Sequence, residues 1–279
     1  MKLQGKVAVI TGASMGIGEE IAKVFAREGA TLVLCARNLP TLEAARQRID
    51  AGEKAISVVC DVSRRDQIDA LVKTTLDRFG RIDILVNNAG FGLNDELAIL
   101  DMANCRQLFE TNLFGAMEFM QAVIPAMKRQ GGGEIVNISS VSGHIASPYM
   151  SVYSASKHAM NAIGMAARVE LLQSHNINVL TVCPGYIATD FGKNMIKGKS
   201  GQRVGGSVRY AVGPEVVAKA TLSGMLKRKR EVIVPWAYTI AIKLYENIPS
   251  LVERAMRRSM RPTDQVLAEA ANTAKTQKT

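Results

Sequence analysis

The sequence predicts an α/β fold: a doubly wound, mostly parallel sheet of seven strands with helices on both faces and a helical extension at its C-terminal end. Three observations carry that prediction. Apolar, β-branched runs alternate with segments of helical period, the pattern of successive βαβ units. The first run passes directly into a glycine-rich turn, Gly12 to Gly18, and then into a helical segment. With 279 residues and 47% apolar content the chain can bury one large core, so residues 1–279 are expected to form one domain.

The elements follow in order. Strands are expected at 7–11, 31–36, 55–59, 84–87, 133–139, 178–182 and 231–234. Between the third and fourth, Ser63 reads as an N-cap, and Ile68, Leu71, Val72, Leu76 and Phe79 recur at helical spacing until Gly80. Long helices are expected over 103–128 and 152–174. Residues 192–206 hold five glycines together with Lys193, Lys197, Lys199 and Arg203, a composition for a mobile loop over 191–206 that acts as a lid. After the last strand, 235–245 is apolar with aromatics. Leu251, Val252, Ala255, Met256 and Met260 then form a helical face opposite Arg254, Arg257, Arg258 and Arg261. Pro262 is expected to end that helix, and 263–279 to fray.

Composition excludes several classes. No run of 18 apolar residues exists, and the N-terminus enters a strand without an apolar leader, so a cytosolic protein is expected. Cys35, Cys60, Cys105 and Cys183 show no paired spacing and read as reduced core thiols; His144, His158 and His175 lack ligand spacing, so no metal is expected. The net charge of +10 is concentrated between Lys227 and Arg261, where nine Lys or Arg face three acids. Without interleaved aromatics that segment does not read as a nucleic-acid surface; acidic small molecules or anionic lipid fit better.

Two patterns carry chemistry. In Thr11-Gly12-Ala13-Ser14-Met15-Gly16-Ile17-Gly18 the glycines permit a tight turn and close approach to a pyrophosphate, while the following helix offers free N–H groups and its positive dipole end. This is a Rossmann-type cofactor turn. The second strand ends at Arg37-Asn38, where an acid would hold an unphosphorylated ribose; Arg37 can instead meet a 2′-phosphate, so NADP is favoured over NAD. The second pattern is Tyr153 and Lys157, four residues apart and so on one helix face. The Lys157 ammonium is expected to lower the Tyr153 pKa by ~2–3 units, about 3–4 kcal/mol, and make it a proton donor or acceptor near neutral pH.

Together the residues resemble the short-chain dehydrogenase/reductase family over about 6–235. The resemblance rests on Thr11–Gly18, Asp61-Val62, Asn87-Asn88-Ala89-Gly90, Asn112, Ser140, Tyr153 with Lys157, and Pro184-Gly185 with Thr189. It implies that Asp61 and Val62 flank an adenine, that Asn88, Ala89 and Gly90 line the cofactor, and that Pro184, Gly185, Ile187 and Thr189 hold its nicotinamide end. It also implies a catalytic set of Asn112, Ser140, Tyr153 and Lys157. Tyr153 would donate the proton, Ser140 polarise the carbonyl, Lys157 bind the nicotinamide ribose, and Asn112 hold a water. On the residues alone, Ser140 could merely cap a strand and Asn112 could be a packing amide.

The substrate pocket is expected to be closed by His144 to Met150, Tyr186 and Phe191, with an apolar, lipid- or steroid-like ketone favoured. A 3-oxoacyl reductase acting on carrier-protein or coenzyme A thioesters is the alternative, and a non-catalytic NADP-binding sensor a further one. The chain lacks the short Gly-Gly ending of many bacterial relatives. Residues 235–262 therefore read as an interface of a homodimer or homotetramer, as a cover over the pocket, or as a peripheral contact with an anionic membrane.

Overall fold

In the first strand, β1 (Val7–Thr11), Ala8 and Ile10 belong to one apolar cluster and Val7 and Val9 to another. The same alternation runs through β2 (Thr31–Ala36), where Leu32 and Leu34 face one way and Val33 and Cys35 the other. Successive side chains point to opposite faces of a strand, so a strand that is apolar at every position must be covered on both sides. In this computed structural model, which describes residues 1–198 and 211–259, both covers are present.

The remaining strands of the main sheet are β3 (Ala55–Val59), β4 (Ile84–Asn87), β6 (Gly133–Ile138), β7 (Ile177–Pro184) and β9 (Glu231–Val234). Their spatial order is β3-β2-β1-β4-β6-β7-β9, with every pairing parallel. On one face lie α1 (Gly16–Arg27) and α7 (Pro214–Leu226), contributing Ile21, Phe25, Val217 and Leu222; on the other, α3 (Arg65–Phe79) and α5 (Gly115–Arg129) contribute Ile68, Leu71, Phe119 and Val123. Phe25 and Phe119 are fully buried, and each contributes about 1.5–3 kcal/mol by leaving water. The strand order reverses direction between β1 and β4, and ligands of such sheets bind in the crevice beyond the carboxyl ends of those strands.

All seven expected strands form. The sixth is longer than its apolar run, continuing through Cys183 to Pro184 because it is paired on both sides. Three local expectations are corrected. Ser63 does not cap α3: its hydroxyl and N–H both donate to Asp61 Oδ1, at 2.8 and 3.0 Å, making a side-chain turn after β3, and Arg64 stands at the N-cap. The helix expected over 103–128 is α4 (Met102–Phe109) and α5, joined by a π turn at Glu110–Phe114. The loop expected from 191 begins as a built segment: β8 (Ile196–Lys197) pairs with β5 (Leu93–Asn94) in a second, two-stranded sheet. Residues 199–206 of that loop, and the tail at 263–279 with Pro262, lie outside the described residues.

The long helix carrying Tyr153 and Lys157 is α6 (Ser151–His175), and α2 (Leu39–Ile49) follows β2. The described chain divides into two compact units, Met1–Tyr238 and a second beginning at Thr239. The second contains α8 (Tyr238–Asn247) from its second residue and α9 (Pro249–Ser259). Ile240, Leu244, Ile248 and Leu251 are exposed there. Among the described residues no helix is long and apolar enough to cross a membrane.

Candidate active site

The crevice is built first by backbone. Gly12 has φ +62°, and a Cβ there would lie 2.8 Å from Asn88 Nδ2; a Cβ on Gly18 would lie 2.3 Å from the Gly12 carbonyl oxygen. Only glycine allows the turn to close this tightly onto the start of α1. Thr11 and Asn88 then brace the turn across β1 and β4. Asn88 Nδ2 donates to the carbonyls of Thr11 and Gly12, both at 3.0 Å, while Thr11 Oγ1 accepts the N–H groups of Asn88 and Ala89 at 2.9 and 3.0 Å. Thr11 was missed as a functional residue in the sequence, although it immediately precedes the glycines.

At the start of α1, Met15 is the N-cap residue and makes no side-chain capping bond, so the first-turn N–H groups, Gly16 to Gly18, remain available to an anion. One acid sits close by. Burial raises the Glu19 carboxyl, but Arg48 and Lys23 outweigh burial and hold it below the ordinary value, with ion pairs at 2.8 and 2.9 Å. Ser14 completes the turn, and the segment after β7 comes over it: Thr189 Cγ2 lies 3.4 Å from the Cβ position of Gly16, and Asn194 Nδ2 is 3.3 Å from Met15 Sδ. Ile187 in that segment forms a β-bridge with Val212, and Gly185 donates to the Val234 carbonyl at 2.7 Å.

At the other end, Arg37 is exposed, with no hydrogen bond or ion pair among the described residues. Asn38, in contrast, has its side chain committed: Oδ1 caps α2 by accepting from the Thr41 N–H at 3.0 Å. Asp61 is held by its turn with Ser63 and Gln67, and Val62 is buried beside it. A glycine turn closed to backbone contact, an open helix start and a free cation at the end of β2 fit a dinucleotide.

The chemistry-bearing residues gather at the ends of β4, β6 and β7. Tyr153 and Lys157 are 7% and 6% exposed, and Lys157 Nζ lies 5.8 Å from the Tyr153 ring centroid. The Ser140 hydroxyl accepts from the Ser142 N–H at 3.0 Å and donates to the Pro184 carbonyl at 3.4 Å. Asn112 lies within the π turn, which offsets its side chain from the regular helical row; such turns are frequent at functional sites. Its amide is clamped by the Phe91 backbone, Nδ2 donating to the carbonyl at 2.9 Å and Oδ1 accepting from the N–H at 3.0 Å. Gly90 stands between Asn112 and Lys157, its Cβ position 3.0 Å from Asn112 Oδ1 and 3.8 Å from Lys157 Nζ.

The expected electrostatics are reversed. Burial pushes the Tyr153 phenol up to about 12, and the neighbouring Ser140 hydroxyl only partly offsets it. Burial likewise lowers Lys157 to about 8. The physical reason is that removing either charge from water costs more here than the pair returns: Nζ donates to the Ile138 carbonyl at 2.9 Å. At neutral pH the site therefore holds a protonated phenol beside a lysine that is still largely charged.

Of the residues expected to line a pocket, Phe191 is brought to Tyr153, with ring centroids 5.6 Å apart and tilted by 58°. Leu93, Met150, Phe91 and Met195 join Tyr153 in an apolar cluster. Tyr186 is exposed, its N–H donating to the Tyr238 hydroxyl at 3.4 Å. His144 is engaged elsewhere, with Nε2 2.9 Å from Glu231 Oε1.

A parallel sheet with a glycine turn at its reversal point and a buried Tyr-Lys-Ser group beside it defines a dinucleotide-dependent oxidoreductase. The family model for short chain dehydrogenase matches residues 6–200. The chain is 36% identical over 267 residues to dehydrogenase/reductase SDR family member 7B of Danio rerio, covering 91% of this chain and 85% of that protein. It is 37% identical over 233 residues to the ketoacyl reductase HetN of a Nostoc species, covering 83% and 79%. Among solved structures, a short-chain dehydrogenase/reductase from Burkholderia phymatum in complex with NAD superposes with TM-score 0.82 at 26% identity, covering 94% of this chain and 98% of that one. An alcohol dehydrogenase from Thermococcus sibiricus complexed with 5-hydroxy-NADP gives 0.71 at 30% identity, covering 82% and 95%. The chain belongs to the short-chain dehydrogenase/reductase family and is an oxidoreductase acting on CH–OH groups.

Proposed function

We propose that this protein is an NADP-dependent reductase that converts an apolar, lipid- or steroid-like ketone to the secondary alcohol. One observation carries the reading: a buried phenol that keeps its proton at neutral pH sits beside the Ser140 hydroxyl, which lowers its pKa, and against the tilted ring of Phe191. The bound nicotinamide supplies hydride. Tyr153 donates its proton to the developing alkoxide, and Ser140 holds the carbonyl oxygen in line with that proton. The Lys157 ammonium favours the phenolate left behind, and Asn112 fixes the backbone at Phe91 so that Gly90 can flank the lysine. Leu93, Met150, Phe91 and Met195 exclude water, which favours an apolar substrate over a charged thioester carrier.

NADP is preferred over NAD because Arg37 is exposed and uncommitted at the end of β2, where a 2′-phosphate would sit and no acid stands to repel it. The ketoacyl reductase named among the relatives keeps a 3-oxoacyl substrate as the second reading. In the C-terminal unit the exposed row Ile240, Leu244, Ile248 and Leu251, followed by Arg254, Arg257 and Arg258, supports peripheral contact with an anionic membrane. Exposed Met102 and Phe114, on α4 and the π turn, support a homodimer or homotetramer contact.

The test is NADPH oxidation with a panel of medium- and long-chain ketones and 3-oxoacyl thioesters. Tyr153→Phe is expected to abolish turnover on the preferred substrate while NADPH binding stays within a few fold; turnover surviving that change refutes the mechanism.

A further inference from the structure

Outside the reductase chemistry, three side chains from separate elements converge. His144 follows the single turn after Ser140, Cys183 lies near the end of β7, and Glu231 opens β9. The β7–β9 register pairs Glu231 with Thr181, two residues from Cys183, and therefore places Glu231 and Cys183 on one face of the sheet. His144 Nε2 is 2.9 Å from Glu231 Oε1 and 3.7 Å from Cys183 Sγ, and Sγ is 3.6 Å from Oε1.

We propose that His144, Cys183 and Glu231 form a binding site for a divalent cation of the zinc class. Bonds of about 2.0–2.3 Å to nitrogen, oxygen and sulfur in a tetrahedron put the ligand atoms roughly 3.3–3.6 Å apart. The sulfur–carboxylate distance already matches, the sulfur–imidazole distance must shorten by about 0.1 Å, and the histidine–carboxylate pair must part by about 0.4 Å. One imidazole, one thiolate and one carboxylate suit zinc rather than magnesium or calcium, which take oxygen alone. A fourth ligand atom is at hand in Asn161 Oδ1, 3.8 Å from Cys183 Sγ. Asn161 Nδ2 donates to the Gly143 carbonyl at 2.9 Å, which fixes the amide with its oxygen towards the sulfur. The thiol is fully buried, whereas the His144 and Glu231 side chains are 22% and 23% exposed, so the ion enters past them. Binding would exchange the thiol proton for the metal bond. It would also tie the turn that follows Ser140 to β7, one residue from the Pro184 carbonyl that Ser140 contacts.

The experiment is equilibrium dialysis of the full chain with Zn²⁺, paired with absorption spectra after Co²⁺ substitution. The wild type is expected to bind one ion with micromolar or tighter affinity and to show thiolate-to-cobalt charge-transfer absorption. Cys183→Ser should remove that absorption, and His144→Gln and Glu231→Gln should each weaken binding at least tenfold. Glu231→Gln is nearly isosteric and keeps the test alive if the buried serine variant does not fold. No binding, binding without the thiolate band, or affinity unchanged in the histidine and glutamate variants would overturn the proposal.

Discussion

Lys157 turns the site's burial into a measurable pH dependence. Its side chain is 6% exposed, and burial lowers its pKa from 10.5 to about 8. Between these values the unfolded chain carries more protons than the folded one, so the stability contribution of this group rises with pH. The penalty is complete below about pH 8 and vanishes above the unfolded value of 10.5. Integrated from about pH 7 to about pH 9.5, the linkage recovers about 2 kcal/mol. Lys157→Met removes it. Tyr153 and Cys183, both pushed upwards by burial, titrate in wild type and variant alike and cancel to first order in the comparison. Urea unfolding of both proteins at the two pH values should therefore show the wild type gaining about 2 kcal/mol on the variant as pH rises. A difference that stays flat would refute the reasoning, because the lysine would then be charged and solvated in the fold as in the unfolded chain. The same titration sets function: reductive turnover in the wild type should decline above about pH 8, as the ammonium that favours the departing phenolate is lost, and the variant should be inactive throughout.

Three further outcomes follow from other parts of the chain. Arg37→Asp should raise the NADPH dissociation constant roughly 10- to 100-fold, the range for losing a charge-assisted hydrogen bond, and barely change that for NADH; equal effects in a fluorescence titration would remove the NADP assignment. Thr11→Val should cost about 1–3 kcal/mol and weaken cofactor binding, because the N–H groups of Asn88 and Ala89 lose their shared acceptor; thermal melts and binding unchanged within error would show that the brace does not matter. Replacing Ile240 and Leu244 with Asp should reduce sedimentation with anionic vesicles at least tenfold, and cosedimentation that does not change would sink the membrane contact.

How much was legible in the sequence depended on the range of the interaction that decided each feature. The strands were readable because a parallel strand covered on both faces must be apolar at nearly every position, and β1, β2 and β4 are. The glycines of the cofactor turn were readable because a positive φ and a backbone approach leave no room for a side chain. Contacts set by distant partners were not. Ser63 looked like a cap until Asp61 claimed its hydroxyl, and the 191–198 segment looked unstructured because its pairing with Leu93–Asn94 depends on strands a hundred residues apart. Nothing around Asn112 announced a π turn.

The reversal at Tyr153 has the same origin and bears on how the enzyme works. Helical spacing correctly placed a lysine near a tyrosine, but spacing says nothing about how much water each has lost, and that loss decides both pKa values. A phenol at about 12 is poorly suited to act as a base and well suited to arrive at the reaction protonated. A lysine at about 8 remains mostly charged at neutral pH, so its attraction for the phenolate is available when the proton leaves. The charge pair is thus favoured after proton transfer more than before it. That asymmetry suits the proposed reductive direction, and it is supplied by the same apolar cluster of Leu93, Met150 and Phe91 on which the proposal of an apolar ketone rests.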